Sequence, residues 1–223
     1  MLSYVYILLE MMTGVNIALM RRKRGDYHHG DLRRALLDAV IELAAKRGAT
    51  ADITLREAAR HTGVSHSAPY RHFNDKGAML AEIANEGFLA LAATLRAARA
   101  GLANPEERFV RTGIAYLRFA REHRGHLIVM FGPEITKGRT RALQEAANDA
   151  FQVLKELAAD AGVADVSQAR KIGTVVWSFL HGVSVLTDRG QVPPSVGATA
   201  DDLAELGLRS LFRSFRSPPA DTK

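Results

Sequence analysis

A chain of 223 residues, 47% of them hydrophobic, is long enough for one medium domain or for a small head on a larger body. It has no cysteine, which excludes a disulfide framework and any thiolate metal site, and its net charge of +6 suits a polyanionic partner without specifying one. Proline is scarce at 7 residues, alanine and leucine are plentiful, and no stretch alternates apolar and polar residues over a strand's length, so the expected class is all-α.

Residues 1–20 are mostly apolar and precede a basic run, Arg21, Arg22, Lys23 and Arg24. A secretory signal carries its positive charges first, not last. A membrane span needs ~20 predominantly apolar residues, and Glu10, Thr13 and Asn16 interrupt this stretch. It reads best as sequence upstream of a start at Met20; an added helix, or an anchor holding the body on the cytoplasmic side, are the alternatives. Residues 1–26 are therefore taken as an N-terminal extension and basic arm, with no stable membrane association expected. His28 and His29 have no carboxylate or cysteine at ligand spacing, so no metal site is expected.

Asp31–Arg47 is expected to form the first helix of a head, with Leu32, Leu36, Ala39, Val40 and Leu43 in one stripe and Gly48 as its stop. The stretch from Thr54 to Lys76, TLREAARHTGVSHSAPYRHFNDK, predicts two short helices joined by a tight turn. Thr54 and Glu57 make a T-x-x-E capping box behind Ile53. Leu55, Ala58 and Ala59 share one helical face. Gly63 ends that helix by accepting a left-handed backbone, Val64 is the buried peg of the turn, and Ser65 caps the second helix. Pro69 falls in its first turn, with Tyr70 and Phe73 on its aromatic side. His66, Ser67, Arg71 and His72 are left outward, free to hydrogen-bond. Such a pair is either an ordinary core hairpin or a unit that lays its second helix in the major groove of DNA. The basic run upstream and the amphipathic helix ahead of the pair favour DNA.

Asn74 and Asp75 cap a long helix running to about Ala100; its start touches the hairpin and its end reaches the body. Asn104-Pro105-Glu106-Glu107 opens another, which ends near His123. Arg124–Phe131 is a short apolar segment closed by Gly132-Pro133. Helices over Thr140–Ala161, Asp165–Arg189 and Thr199–Ser217 follow, with a loop at Gln191–Ala198 and a disordered tail at 218–223.

The segment from Tyr27 to about Phe88 resembles the DNA-binding head of TetR-family transcriptional regulators. The residues that carry the likeness are YHHGDLRRALLDAVIELAAKRG and TLREAARHTGVSHSAPYRHFNDKGAML, with the core G-V-S-x-x-x-x-Y-x-H-F-x-x-K. WSFLHG, from Trp177 to Gly182, is similar to the W-x-x-x-H-G signature of one subgroup's C-terminal domain. The resemblance implies a three-helix helix-turn-helix head at 27–76 and a larger helical ligand-binding and dimerisation domain at 77–217. It further implies a ligand-responsive homodimer in which two pairs of helices form a four-helix bundle.

On that frame, Thr54, Tyr70, His72 and Lys76 are placed for phosphates, and Ser65, His66, Ser67 and Ala68 for base edges; Arg71 serves a guanine or a phosphate. Arg21 to Arg24 enter a minor groove, follow phosphates, or remain a solvated arm. Tyr70 is alternatively head core. Phe109, Tyr116, Phe119, Met130, Phe131, Phe151, Trp177 and His181 are candidate walls of an apolar ligand pocket, and each reads equally as core. Trp177 and His181 are four residues apart and share a face; the leading role for His181 is to satisfy a buried backbone carbonyl. A dimer surface is expected from Val176, Leu180 and Val183 on one helix and Leu203, Leu206, Leu211, Phe212 and Phe215 on the next, against the alternative of intrachain core. The chain has no G-x-S-x-G, P-loop, H-E-x-x-H or cysteine nucleophile, so neither an enzyme nor a cofactor is expected. One head reads too few base pairs for specificity, whereas two heads on a two-fold axis read a near-palindrome. The reading is a cytoplasmic, sequence-specific transcriptional regulator, a repressor rather than an activator. It binds a near-palindromic double-stranded operator as a homodimer and is released by a small apolar effector. A membrane-tethered helical module is the runner-up.

Overall fold

The computed structural model describes residues 32–137 and 140–216. The N-terminal extension, the arm Arg21 to Arg24, the pair His28-His29 and the tail 218–223 all lie outside the described residues. Within them, every regular element is helical.

The head opens with α1, Leu32–Arg47, whose buried residues Leu36, Leu37, Ala39, Val40, Leu43 and Ala44 recur at helical spacing. Helix α2, Leu55–Thr62, starts as expected: the Thr54 hydroxyl accepts from the Glu57 N–H at 3.1 Å. The capping box is one-sided, however. The Glu57 carboxylate pairs with the Arg47 guanidinium at the end of α1 and does not return to the Thr54 N–H. A charged two-point partner outcompetes a single backbone N–H. Gly63, at φ 74°, takes the left-handed conformation, and Val64 N–H closes on the Ala59 carbonyl at 3.0 Å.

The second helix of the pair is a 3-10 turn, Ala68–Arg71, and not the α-helix that the spacing predicts. Pro69 is the cause. An α-helix here would need the residue 69 N–H to reach the Ser65 carbonyl, and proline has none. The Ala68 N–H takes that carbonyl at 3.0 Å, which is the tighter 3-10 pattern. The Ser65 hydroxyl caps no N–H; it lies 3.3 Å from the Ser67 hydroxyl. Val64 is only half-buried, and Pro69 and Phe73 supply the buried packing of this segment.

Helix α3, Lys76–Arg99, is capped by Asp75, whose carboxylate accepts from the Ala78 N–H at 2.7 Å. The body continues with α4, Pro105–Glu122, α5, Arg124–Met130, and α6, Pro133–Lys137. Then follow α7, Arg141–Asp160, α8, Val166–Asp188, and α9, Ala200–Arg216. Gly132-Pro133 therefore opens the short α6 as well as closing α5, proline being tolerated at a first helical position. Thr199 and Asp202 form a two-sided cap, at 2.8 Å and 3.2 Å, ahead of α9.

Helix α3 is the axis of the molecule. It packs on α7, α4 and α5, while α8 lies on α7, α9 on α4 and α8, and α1 on α5. One continuous apolar core runs from Leu36 and Val40 in the head through Ile83, Leu91, Tyr116 and Leu157 to Leu208 and Phe212. Among the described residues α3 alone has the length and hydropathy of a membrane span, and it lies in that core. Buried Asp160 accepts from Arg99 and Arg108, each at 2.7 Å, and so fastens the α3–α4 connection to α7. Head and body meet at backbone distance. A Cβ on Gly125 of α5 would lie 2.2 Å from the Ile41 carbonyl oxygen of α1.

Candidate nucleic-acid interface and ligand cavities

The head presents one polar edge. Thr54, Ser65, His66, Ser67 and Arg71 are exposed, Tyr70 is 53% exposed, and Ala68 and His72 are half-buried. Tyr70 is thus surface and not head core, while Phe73, 3% exposed, fills the aromatic slot beneath it. Thr54 and His66 line one shallow depression with Arg56 and Arg60, exposed cations that the sequence reading did not single out. Arg56 has no partner among the described residues; Arg60 lies 3.4 Å from Glu57, which Arg47 already engages. The signal for both arginines was present, because Leu55, Ala58 and Ala59 define the buried face of α2 and leave positions 56 and 60 outward. The N-terminus of α2 and these two guanidiniums suit phosphate oxygens, and the Ser65–Arg71 edge offers hydroxyl and imidazole groups.

Lys76 does not belong to that edge. Its Nζ donates to the Thr50 carbonyl at 2.7 Å, the Ala51 carbonyl at 2.9 Å and Glu134 Oε1 at 3.3 Å. All three ammonium N–H directions are used, and Lys76 closes a clasp between the head loop, the start of α3 and α6. Thr50, 3% exposed, donates its hydroxyl to Glu134 Oε2 at 2.7 Å. Burial pushes the Glu134 carboxyl up, but hydrogen bonds from Thr50, its own N–H and Lys76 outweigh it and hold the group below the usual carboxylate range.

Among the described residues, two cavities involve the body. The inner one, about 250 Å³, lies between α3, α4, α7 and α8, and is lined by Tyr116, Phe131, Phe151 and Trp177 with Phe88, Leu91 and Leu154. His181 faces the other cavity, and its Nδ1 lies 3.0 Å from the Tyr116 hydroxyl. Its partner is therefore a phenol, not a backbone carbonyl. Burial pushes the His181 ring down and the Tyr116 hydroxyl up. A neutral imidazole accepting from an un-ionised phenol satisfies both. Phe109, Phe119 and Met130 are buried and line neither of these two cavities. The Phe109 ring packs edge-on against Phe212 at 5.4 Å, Phe119 stacks on His123 at 4.6 Å, and Met130 lies against Gly87.

The outer cavity, about 870 Å³, lies in the seam between head and body. The head contributes the end of α1 and its following loop, Arg47 to Ala51; α4, α5 and the last turns of α8 form the opposite walls. Phe131 lines both cavities, so this ring and the Tyr116–His181 pair form the partition between them.

The residues expected at a dimer surface divide. Val176 and Leu180, both 0% exposed, and Phe212, 2% exposed, belong to the intrachain core, since α8 and α9 turn those positions toward α4 and α7. Val183, Leu203, Leu211 and Phe215 are half-buried, and Leu206 is 68% exposed. Val175 and Leu186, 45% and 47% exposed, join Phe179 and Val183 in an outward stripe on α8, with Leu203 and Leu206 on the adjoining α9.

Two family models match the chain: "Bacterial regulatory proteins, tetR family" over residues 36–83 and "Tetracyclin repressor-like, C-terminal domain" over 109–211. An uncharacterized HTH-type transcriptional regulator of Haemophilus influenzae is 36% identical over 67 residues, covering 30% of this chain and 33% of that protein's length. A solved structure of a protein with unknown function from Rhodococcus sp. RHA1 superposes with TM-score 0.71 at 30% identity, covering 86% of this chain and 100% of that one. A TetR family transcriptional regulator from Thermus thermophilus superposes with TM-score 0.62 at 21% identity, covering 80% of this chain and 97% of that one, a likeness of fold.

Proposed function

We propose that this chain, which belongs to the TetR family of bacterial regulatory proteins, is a cytoplasmic homodimeric repressor that holds a near-palindromic operator and releases it when a small apolar effector enters the helical body. The family consists of DNA-binding transcription factors with a helix-turn-helix head, not of enzymes. The observation that carries the finer reading is the exposed edge from Thr54 to Arg71, held rigid by a packed interior. Arg56, Arg60, Thr54 and Tyr70 take phosphates, and Ser65, His66, Ser67 and Ala68 face the bases, with Arg71 at either. The apolar stripe on α8 and α9 supplies the two-fold contact, and an apolar-lined cavity of the body supplies the effector site. Release of the operator follows if the effector binds the DNA-incompetent dimer more tightly than the competent one.

Selection of bound sequences from a random duplex pool tests the reading. An inverted repeat with half-sites about one helical turn apart is the expected product. Unenriched sequence, or a lone half-site, contradicts it.

A further inference from the structure

The inner cavity, about 250 Å³, falls below the roughly 300–1,000 Å³ of ordinary small-molecule sites, whereas the seam cavity, about 870 Å³, falls within it. The seam cavity also has a division of character. Leu117, Leu127, Ile128, Phe131 and Val185 give it an apolar floor. Four guanidiniums stand around it, against one lining carboxylate, Asp188. Three of them are held: Arg47 by Glu57, Arg121 by Asp201 at 2.6 Å and Arg124 by Asp188 at 2.6 Å. Arg189, at the end of α8, has no ion-pair partner among the described residues.

We propose that the seam cavity is an effector site for an amphipathic anion, an apolar chain or ring body ending in a carboxylate, with the Arg189 guanidinium receiving the acid. This deepens the reading of an effector-responsive regulator and rests on it. The apolar floor excludes water from the body of the ligand, and the unpartnered guanidinium offers a planar two-point match to a carboxylate. A neutral apolar molecule would leave that charge unused, and a cation would meet an excess of positive charge. The site also touches the head. Its wall includes Thr50 and Ala51, whose carbonyls Lys76 holds, and Gly132 and Pro133, which precede Glu134. A ligand seated there bears on the clasp that fixes the head against α3 and α6, so occupancy and head position are linked.

The test is calorimetric titration of the full chain, without DNA, by decanoate, decan-1-ol and decyltrimethylammonium below their micelle concentrations. Decanoate is expected to bind at one per chain and about tenfold or more tighter than the alcohol, with no binding of the cation. Arg189→Gln, at an exposed position, is expected to keep the wild-type melting curve and to weaken decanoate about tenfold while leaving the alcohol unchanged. Ile128→Trp, which fills the floor, is expected to weaken both. Equal affinity for acid and alcohol overturns the proposal, as does unchanged decanoate affinity in a folded Arg189→Gln protein. No decanoate binding at millimolar concentration overturns it too, as does loss of binding on filling the inner cavity by Ala150→Leu with the seam variants unaffected. Because no DNA is present, these failures leave operator binding untouched; a chain that selects no sequence fails the regulator reading instead.

Discussion

At the Lys76 ammonium, three acceptors converge from two separate stretches of chain: the Thr50 and Ala51 carbonyls and Glu134. Lys76→Met keeps the aliphatic stem and removes the charge; the Ala51 carbonyl and Glu134 Oε1 lose the ammonium, while the Thr50 carbonyl keeps the Ile53 N–H at 3.0 Å and Glu134 Oε2 keeps the Thr50 hydroxyl at 2.7 Å. It is expected to cost about 1–3 kcal/mol in chemical denaturation, with the salt dependence of DNA binding unchanged. A stable variant whose salt slope falls by ~1 would return Lys76 to the phosphate backbone. Glu134 adds a pH dependence. Its folded pKa lies below the unfolded value of about 4.3, so its contribution is present above that pH and is lost as pH falls through the folded pKa. Glu134→Gln should therefore flatten the acid limb of the stability profile; an unchanged limb contradicts the clasp. Arg56→Gln and Arg60→Gln, in contrast, should each weaken binding to all sequences alike and lower the salt slope by ~1. A changed base preference with the slope intact would reassign them. The sequence showed what is local: the caps at Thr54, Asp75, Asn104, Asp165 and Thr199 each bond within three residues. It could not show that Glu57 prefers Arg47 or that Lys76 prefers Thr50, because those partners meet only after the chain folds.

Among the elements, the helix boundaries were legible because glycine, proline and cap residues mark them, and α1, α3, α4, α7, α8 and α9 fall within a residue or so of the expected spans. The recognition segment was legible in place but not in type. Pro69 was read as harmless in a first turn, yet its missing N–H is the one an α-helical bond to Ser65 requires. The pocket walls were half legible. Phe109, Phe119 and Tyr116 share one helix and similar spacing, and only the packing of Phe212 from α9 on Phe109 and of His123 on Phe119 tells those two from Tyr116, which meets a cavity. The tightest contact between elements is at Gly125. Gly125→Ala gains ~1 kcal/mol of helix propensity, but its Cβ would fall 2.2 Å from a backbone oxygen that cannot swing aside. A net loss of about 1–2 kcal/mol in denaturation is expected, together with weaker operator binding as α1 is displaced. Unchanged stability would show that α5 and α1 are not locked at that crossing.

For the whole molecule, one core spans head and body, so the head has no separate interior with which to move independently. Movement of the head must therefore repack the seam where α1 meets α5 and where Lys76 holds the loop. The proposed dimer belongs to this scale as well. Val175→Glu with Leu206→Glu places charge on the outward stripe without touching the core. It should give a folded monomer by sedimentation with weakened operator binding; a variant that stays dimeric moves the interface elsewhere. Regulation by this chain requires that the edge from Thr54 to His72 meet DNA. The direct measurement is backbone amide hydrogen exchange of the full-length protein with and without a duplex selected by it. The expected result is slowed exchange in residues 54–72, with the outward faces of α8 and α9 unaffected. Protection confined to the body, or none at 54–72 while the duplex is bound, would contradict it.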